Sequence, residues 1–295
     1  ENKHLHLVAI GGTCVVSATL ISSLIFSDEV LMNQILAVTQ TVSAWFKHDV
    51  LGRKLASSSS TPSTVPSEQQ AVEIVNPGGV EQIRLVNVPV GSTTTDYNVA
   101  RRTKILFSTT RKDIVHVSVS HFSINFADIA IRLGLYESAI RNVGYPIVPG
   151  FDIAGVVSKV PRGCKDFSVG DKVYGATLFG GYSQKVGIPE NQLRKIPEGI
   201  GEDVAASLPA VSLTAIHALV ISGFVPNGMT DMKLGSNRSI LVHSASGGVG
   251  GMLVQFAKRC GVERVIGVVG REEKVDYCKK LGADVVVCKQ GRRKE

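Results

Sequence analysis

Residues 239–269 read SILVHSASGGVGGMLVQFAKRCGVERVIGVV. The apolar runs at the two ends of this stretch, 239–243 and 264–269, predict buried parallel strands, and residues 251–260 predict a helix between them. The glycine-rich turn at 244–250 therefore follows a strand and opens a helix. That order predicts the dinucleotide-binding half of a doubly wound sheet, because a helix N-terminus offers amide groups and a partial positive charge to a pyrophosphate.

The glycine-rich turn fits the G-x-G-x-x-G spacing in part. Ala245 takes the first glycine position, while Gly247 and Gly250 take the second and the third. We expect Gly247 to let the backbone approach a pyrophosphate, and Gly250 to let the helix pack on the strand. The predicted cofactor-binding residues of the turn are Ser244, Ala245, Ser246, Gly247, Gly248, Val249 and Gly250.

The end of the second strand bears on the choice between NADH and NADPH. NAD sites usually place an acidic residue there for the ribose 2′-hydroxyl, whereas this sequence has Val269 and Gly270. Arg271 and Lys274 follow and offer cations to a 2′-phosphate. Gly270, Arg271 and Lys274 are therefore predicted to favour NADPH. The alternative is that residues 271–274 are only the charged first turn of an exposed helix.

A second, mainly antiparallel β-region precedes this unit and spans residues 71–196. Short apolar runs separated by glycine and proline predict its strands at 83–88, 114–119, 155–160, 172–174 and 182–186. Residues 91–112 are rich in threonine and basic side chains and predict a surface insertion. From about residue 202, helices alternate with strands. The further elements predicted there are helices at 202–208 and 212–222 and a third parallel strand at 284–288.

The N-terminal residues 1–54 are predicted to form a hydrophobic helical leader, either a membrane anchor or a targeting segment. Residues 7–26 contain no charged side chain, and a helix of that length spans a hydrocarbon core of about 30 Å. A membrane helix is the leading interpretation, with a cleaved signal sequence and a buried core helix as alternatives. Residues 30–46 fit an amphipathic helix at the interface. A Ser/Thr/Pro-rich linker is predicted at 55–70.

This leader predicts a membrane-associated protein whose catalytic part lies in the cytosol, with a mitochondrion or another organelle as the alternative. The formal net charge is +7, but the basic residues form no long stripe with interleaved aromatic side chains, so no nucleic-acid partner is expected. The five cysteines are scattered and form no C-x-x-C pair. Neither a disulfide scaffold nor a structural zinc site is therefore indicated.

Seven sequence blocks follow one another between residues 71 and 289. They are INFADIAIRLGLY (124–136), PGFDIAGVV (149–157), VGDKVYG (169–175), GGYSQKV (180–186), LPAVSLTAIHAL (208–219), LVHSASGGVG (241–250) and EKVDYCKKLGAD (273–284). The set resembles the medium-chain dehydrogenase/reductase superfamily in its zinc-free quinone oxidoreductase branch. The resemblance implies an α/β fold, with a GroES-like catalytic β-domain at 71–196 and an incomplete Rossmann NADP-binding domain at 197–295. The active site of the family lies in the cleft between the two domains.

The resemblance also implies site residues. Zinc-dependent members carry a cysteine and a histidine as zinc ligands where this sequence has Asn125 and Phe151, so no metal site is expected. Asn125 and Tyr136 match positions that line the family's cleft, and we expect them to be the catalytic residues, acting as hydrogen-bond donors that position the substrate. The alternatives are that Asn125 is a turn residue and Tyr136 a half-buried core aromatic. Lys289 stands where many relatives have a tyrosine that contacts the phosphoribose of the cofactor.

The implied reaction is hydride transfer from NADPH to a quinone or to the β-carbon of an enone, carried by proximity and orientation without zinc. In the family the Rossmann sheet continues for about three more strands. We therefore expect a truncated chain with little or no reductase activity, and a homodimer only in a full-length form. The alternative function is a membrane-associated nucleotide-binding protein of the same fold without significant turnover.

Overall fold

The computed structural model describes residues 68–89, 114–224 and 238–289. The predicted leader (1–54), most of the predicted linker and the predicted surface insertion (91–112) lie outside these residues. Within the described ranges, no helix has the length and the apolar character that crossing a bilayer requires. The membrane helix at 7–26 stays a prediction.

The first unit is a mainly antiparallel β-domain. Its strands are β1 (Glu68–Ile74), β2 (Ile83–Pro89), β3 (Ile114–Phe122), β4 (Asp152–Lys159), β5 (Lys172–Ala176), β6 (Lys185–Pro189) and β7 (Leu193–Lys195). Five of them form one sheet in the order β6-β3-β4-β5-β7, and β1 pairs with β2 as a separate hairpin. The antiparallel β-domain predicted from the sequence is confirmed.

Two short helices follow β3, and the sequence pattern does not predict them. They are α1 (Phe126–Arg132), with 7 residues, and α2 (Glu137–Asn142), with 6 residues. Helices this short give no clear repeat of apolar side chains. Ile131 of α1 and Ala139 of α2 are fully buried in one cluster with Ile147. Tertiary packing therefore holds these helices in place.

Alternating side chains fill the core of the five-stranded sheet. In β3 the side chains of Val115 and Val117 are buried, and they pack with Ile153 of β4. On the other face of β4, Ala154 packs against helix α3 (Glu202–Ala206). The beginning of β4 is therefore enclosed from both sides.

The strand predicted at 182–186 begins three residues later, at Lys185. Tyr182 instead accepts a backbone hydrogen bond from Val72 of β1 (2.8 Å) and donates one to Pro149 (3.0 Å). β1 begins at Glu68, so residues 68–70 of the predicted linker lie in a strand. These backbone partners are distant in sequence, and a local pattern does not reveal them.

The second unit alternates helices with parallel strands. Its remaining elements are α4 (Pro209–Ile221), β8 (Ser239–His243), α5 (Gly248–Arg259), β9 (Arg264–Val269), α6 (Val275–Lys280) and β10 (Val285–Cys288). The strands pair in parallel in the order β10-β9-β8. The strands predicted at 239–243 and 264–269 are confirmed with the same bounds. The described part of this unit is Rossmann-like, as the sequence predicts.

The two long helices of this unit begin earlier than the sequence suggests. α4 has Pro209 at its first position, where the missing amide removes no helical hydrogen bond. α5 begins at Gly248, three residues before the predicted start. α4 and α5 pack together through Ala215, Ile216 and Phe256. This packing brings α4 against the helix that follows the glycine-rich turn.

Candidate functional site

Gly247 is the N-cap of α5, so the glycine-rich turn places the first turn of this helix at the carboxyl end of β8. The amide of Gly247 donates to the carbonyl oxygen of Ser244 (2.8 Å), and the amide of Gly251 makes a helical bond to Gly247 (2.7 Å). The amides at 248–250 lie in the first helical turn and have no carbonyl partner within the helix. They are the donors that an anion at this end of the helix would use.

Close packing requires two glycines of the turn. A Cβ atom at Gly250 would lie well inside 3.0 Å of the Ser244 carbonyl oxygen, which is backbone and cannot move aside. A Cβ atom at Gly248 would lie 2.9 Å from Cγ1 of Val211 in α4. Gly250 therefore allows α5 to pack closely on β8, in agreement with its predicted packing role, and Gly248 brings the turn against α4.

The other residues of the turn differ in what they offer a ligand. Ser244, which has a φ of 51°, and Gly247 are exposed, while Ser246 and Val249 are partly buried. Ala245 is buried, and its amide donates to the backbone of β9 (3.0 Å). Ala245 thus packs the turn onto the sheet, and binding of a cofactor by this residue stays a prediction.

The three predicted cofactor-binding segments lie along one edge of the parallel sheet. The last residues of β8, β9 and β10 stand side by side in the strand register. The glycine-rich turn follows β8, Gly270 and Arg271 follow β9, and Lys289 follows β10. A ligand lying across the carboxyl ends of the strands would therefore pass all three segments.

Arg271 is the N-cap of a short 3-10 helix (Glu272–Lys274) that leads into α6, and Lys274 is its last residue. The side chain of Arg271 is 60% exposed and forms an ion pair with Glu273 at 3.2 Å. An exposed pair of this kind is worth at most about 1 kcal/mol, so an incoming phosphate can displace Glu273. Phosphate binding by Arg271 and Lys274 stays a prediction.

Asn125 is the N-cap of α1 and is half-buried. Its Nδ2 donates to Oδ2 of Asp152 (2.9 Å) and to Oγ of Ser123 (3.0 Å). These two acceptors are only 2.5 Å apart, because the Ser123 hydroxyl donates to the same carboxylate oxygen. One N–H of the amide therefore serves both, and none of the described residues takes the second N–H. The side chain also accepts the backbone N–H of Asp128 in a capping box. Asn125 thus has a fixed orientation and one free N–H.

Asp152 belongs to this site although the sequence does not predict it. The residue is fully buried, and its Oδ1 accepts the backbone N–H of Ala210 in the first turn of α4 (2.7 Å). Burial raises the pKa of Asp152 to about 6, although hydrogen bonds from Ser123, Asn125 and Ala210 favour the charged form. The sequence does offer one signal for Asp152, because this acid begins the apolar run DIAGVV, which is expected to be buried. A buried acid needs hydrogen-bond partners, so such a position indicates a specific role.

Asp128 is a second buried acid, on α1, and the sequence does not predict its role either. It accepts the backbone N–H of Asn125 (2.8 Å), the backbone N–H of Gly150 (3.1 Å) and the hydroxyl of Tyr182 (2.9 Å). Burial raises the pKa of Asp128, and these three bonds oppose the rise. Asp128 therefore holds the backbone of Asn125, while Asp152 holds its side chain.

Tyr136 is the N-cap of α2 and is 8% exposed. Its ring packs against Phe151, with centroids 5.8 Å apart, and against Phe179, at 6.2 Å. Burial and the nearby charge of Asp128 raise the pKa of Tyr136 to about 12, so its phenol is protonated at neutral pH. This packing fits the core-aromatic alternative, and the predicted role as a hydrogen-bond donor to substrate stays a prediction.

The part of the chain that the structure describes contains no group of three or more His, Cys, Asp or Glu side chains placed to hold a metal ion. Asn125 and Phe151 occupy the two positions that the resemblance gives to zinc ligands. Phe151 offers no ligand atom, and its ring packs on Phe179 with centroids 5.5 Å apart.

An antiparallel β-domain joined to a parallel sheet with a glycine-rich turn at its carboxyl edge defines a two-domain protein of the dinucleotide-binding class. Two family models match the chain: "Alcohol dehydrogenase GroES-like domain" over residues 111–198 and "Zinc-binding dehydrogenase" over residues 248–294. The chain is similar to the zinc-independent branch of the medium-chain dehydrogenase/reductase superfamily, and the relatives that match it include proteins named as quinone and alkenal/one oxidoreductases.

Two curated plant relatives are similar to most of this chain. The 2-methylene-furan-3-one reductase of Solanum lycopersicum is 28% identical over 241 residues, which cover 79% of this chain and 55% of the relative. The chloroplastic NADPH-dependent alkenal/one oxidoreductase of Arabidopsis thaliana is 28% identical over 260 residues, which cover 84% of this chain and 60% of the relative. The chain therefore spans 55% to 60% of the length of these relatives.

A solved structure of the same branch is similar to this fold. The crystal structure of Escherichia coli quinone oxidoreductase complexed with NADPH has a TM-score of 0.57 and 27% sequence identity, covering 77% of this chain and 60% of that chain. The likeness extends over both units described above.

Proposed function

We propose that this chain provides the substrate-positioning part and the adenosine-binding part of an NADPH-dependent oxidoreductase. The enzyme transfers hydride to a quinone or an α,β-unsaturated carbonyl compound without zinc. The proposal depends on one observation: the glycine-rich turn, the segment 270–274 and Lys289 share one sheet edge, and no acid stands at the end of β9. Relatives named for NADPH, alkenals and quinones support it.

The residues at this edge fit NADPH. The amides at 248–250 and the positive end of α5 suit a pyrophosphate. No heavy atom lies within 4 Å of a Cβ position at Gly270, so there is open space beside Arg271. A charge-assisted hydrogen bond to phosphate, worth about 1.5 to 3 kcal/mol, exceeds the exposed ion pair of Arg271 with Glu273. When bound, NADPH supplies the hydride, and the protein binds and orients the reactants.

Asn125 and Tyr136 supply hydrogen-bond donors for the acceptor in this proposal. Hydride addition to a quinone or an enone places negative charge on the carbonyl oxygen, and donors aimed at that oxygen stabilise it. The second N–H of Asn125 is one donor, and the protonated phenol of Tyr136 is the other. Asp152 and Asp128 hold Asn125 in a single orientation, which limits the entropy lost on reaching the transition state.

The surface beside Asn125 suits an apolar acceptor. Ile124 and Phe126, its neighbours in the chain, are 76% and 69% exposed, and Phe122 at the end of β3 is 42% exposed. Apolar side chains around a few hydrogen-bonding groups are typical of sites for small organic ligands. This setting favours a flat conjugated carbonyl compound over a sugar or an amino acid.

Consumption of NADPH, followed by absorbance with a small quinone and a simple enone, tests the proposal. In a form of the protein as long as its relatives, we expect one of these acceptors to accelerate consumption, and Asn125→Ala to abolish the acceleration. Binding of NADPH with no consumption would favour the alternative, a nucleotide-binding protein of the same fold without significant turnover. Failure to bind NADPH at all would contradict both.

We further propose that residues 7–26 hold the protein on a membrane. The support comes from the sequence alone, because this stretch has no charged residue and has the length of a membrane-spanning helix. Carbonate washing of membranes should then leave the protein in the pellet. Recovery of the intact chain in the supernatant would contradict the anchor.

A further inference from the structure

One carboxylate connects the two units at the candidate site. Oδ2 of Asp152 accepts hydrogen bonds from Ser123 (2.5 Å) and Asn125 (2.9 Å), which lie between β3 and α1. Oδ1 accepts the N–H of Ala210 (2.7 Å), the second residue of α4. The same side chain therefore holds a candidate catalytic residue with one oxygen and the beginning of a helix of the second unit with the other.

The first turn of α4 in turn contacts the glycine-rich turn. Val211 follows Ala210, and its Cγ1 would lie 2.9 Å from a Cβ atom at Gly248. Further along, α4 and α5 pack through Ala215 and Phe256. A displacement of the first turn of α4 would therefore move the backbone amides that face a pyrophosphate.

We propose that Asp152 is a positioning residue that couples the Asn125 amide to the cofactor-binding turn, because it fixes Asn125 and the first turn of α4 together. The inference rests on the proposed function, since the reaction that it serves is NADPH-dependent. Asp152 acts through Asn125 on the acceptor side and through Ala210 and Val211 on the cofactor side.

The negative charge of Asp152 lets one side chain hold both partners. A carboxylate accepts at both oxygens, whereas an asparagine in its place would have one acceptor oxygen and one NH₂ donor. Three hydrogen-bond donors and the positive end of α4, a helix of 13 residues, stabilise the buried charge. The titratable groups that face it are Asp128 on α1 and Tyr182 before β6. Burial raises the pKa of Asp152 to about 6, so the carboxylate is mainly charged above that pH.

Hydrogen exchange of the cofactor-free 295-residue chain tests the link between Asp152 and α4. Asp152→Asn should speed amide exchange in the first turn of α4 by about tenfold or more at neutral pH, because a hydrogen bond to a charged group is lost. Asp171→Asn is the matched control. Asp171 also accepts a backbone N–H, from Ser168 (2.8 Å), and pairs with Lys195 (2.8 Å), but both partners lie in its own unit. Unchanged exchange in Asp152→Asn would overturn the proposal.

Fluorescence titration with NADPH tests whether the link reaches the cofactor site. At about pH 7.5 the Kd of Asp152→Asn should exceed that of the wild type by about tenfold or more. Near about pH 5 the ratio of the two Kd values should approach one, because the wild-type carboxyl is then protonated and asparagine resembles it. The ratio cancels the titration of the phosphate of NADPH itself. A ratio of one at both pH values, or a ratio that does not change with pH, would overturn the proposal.

Ser123→Ala is a second variant, which leaves the carboxylate and its bond to Ala210 in place. It removes one hydrogen bond to the charged form, so the weakening of NADPH binding in acid should move to higher pH. The absence of that shift would count against the proposal. If the wild type binds no NADPH but Asp152→Asn speeds exchange in α4, the proposed function is contradicted and the link between Asp152 and α4 is supported. If the wild type binds NADPH and Asp152→Asn alters neither readout, the inference alone fails.

Discussion

Gly250 approaches the carbonyl oxygen of Ser244 so closely that a Cβ atom at position 250 would lie well inside 3.0 Å of that oxygen. The obstacle is backbone, so no rotation of a side chain relieves it. A larger residue at this position must move α5 away from β8, and with it the first-turn amides that are predicted to bind a pyrophosphate.

Gly250→Ala should therefore lower the free energy of unfolding by about 1 to 3 kcal/mol and weaken NADPH binding at the same time. Urea unfolding and fluorescence titration measure the two effects. Gly201→Ala is the control, because a Cβ atom there would meet only the flexible carboxylate of Asp203. Equal losses in the two variants would contradict the packing role of Gly250.

The sequence predicts well those strands whose own run of residues contains the signal for burial. In the described parallel sheet β9 is the central strand and β8 pairs with it, and the mainly apolar runs of the two strands predicted the observed bounds. β6 is different, because Tyr182 resembles a strand residue and yet bonds to β1 and Pro149. Its place depends on partners that the local pattern does not contain.

The candidate site could be predicted only in part for the same reason. Asn125 and the glycine-rich turn belong to recognisable motifs. The role of Asp152, by contrast, depends on its hydrogen bond with Ala210, 58 residues further along the chain. Asp128 likewise depends on Tyr182, 54 residues away. Arg271 forms an ion pair with Glu273, two residues away. The residue types alone do not show whether Arg271 is paired in this way or is free to bind a phosphate.

Stability should depend on pH through Asp152. Burial raises the pKa of its carboxyl from 3.8 to about 6, so the folded state binds this proton more tightly than the unfolded state. Its contribution to stability is complete below pH 3.8 and is lost as the pH rises through about 6. Relative to Asp152→Asn, the wild type should lose roughly 2 to 3 kcal/mol of global unfolding free energy across this range, an effect separate from the local protection of the first turn of α4. Urea titrations at several pH values measure the difference, and a constant difference would refute the assignment.

Tyr136→Phe separates the two interpretations of this residue. The ring keeps its packing on Phe151 and Phe179, so the free energy of unfolding should change by less than about 1 kcal/mol. If the phenol donates to the acceptor oxygen, kcat with a quinone or an enone, measured in a form of the protein as long as its relatives, should fall by about a hundredfold. Unchanged turnover would leave Tyr136 as a core aromatic. Tyr182→Phe is the contrast, because it removes a donor to buried Asp128 and should cost about 1 to 3 kcal/mol of stability.

Arg271→Ala and Lys274→Ala should weaken binding of NADPH and leave that of NADH nearly unchanged. Each removes a cation from the expected position of the 2′-phosphate, and a charge-assisted hydrogen bond is worth about 1.5 to 3 kcal/mol, or roughly tenfold to a hundredfold in Kd. Lys279→Ala is a suitable control, since Lys279 is an exposed lysine further along in α6. A similar loss for both cofactors would indicate a general effect of charge.

Titration of the wild-type chain with NADPH and with NADH, followed by fluorescence, tests the central claim most directly. The sheet edge offers Arg271 and Lys274 after β9 and no acid at the end of that strand. We therefore expect the Kd for NADPH to be at least about tenfold lower than the Kd for NADH. Equal dissociation constants, or tighter binding of NADH, would contradict the account.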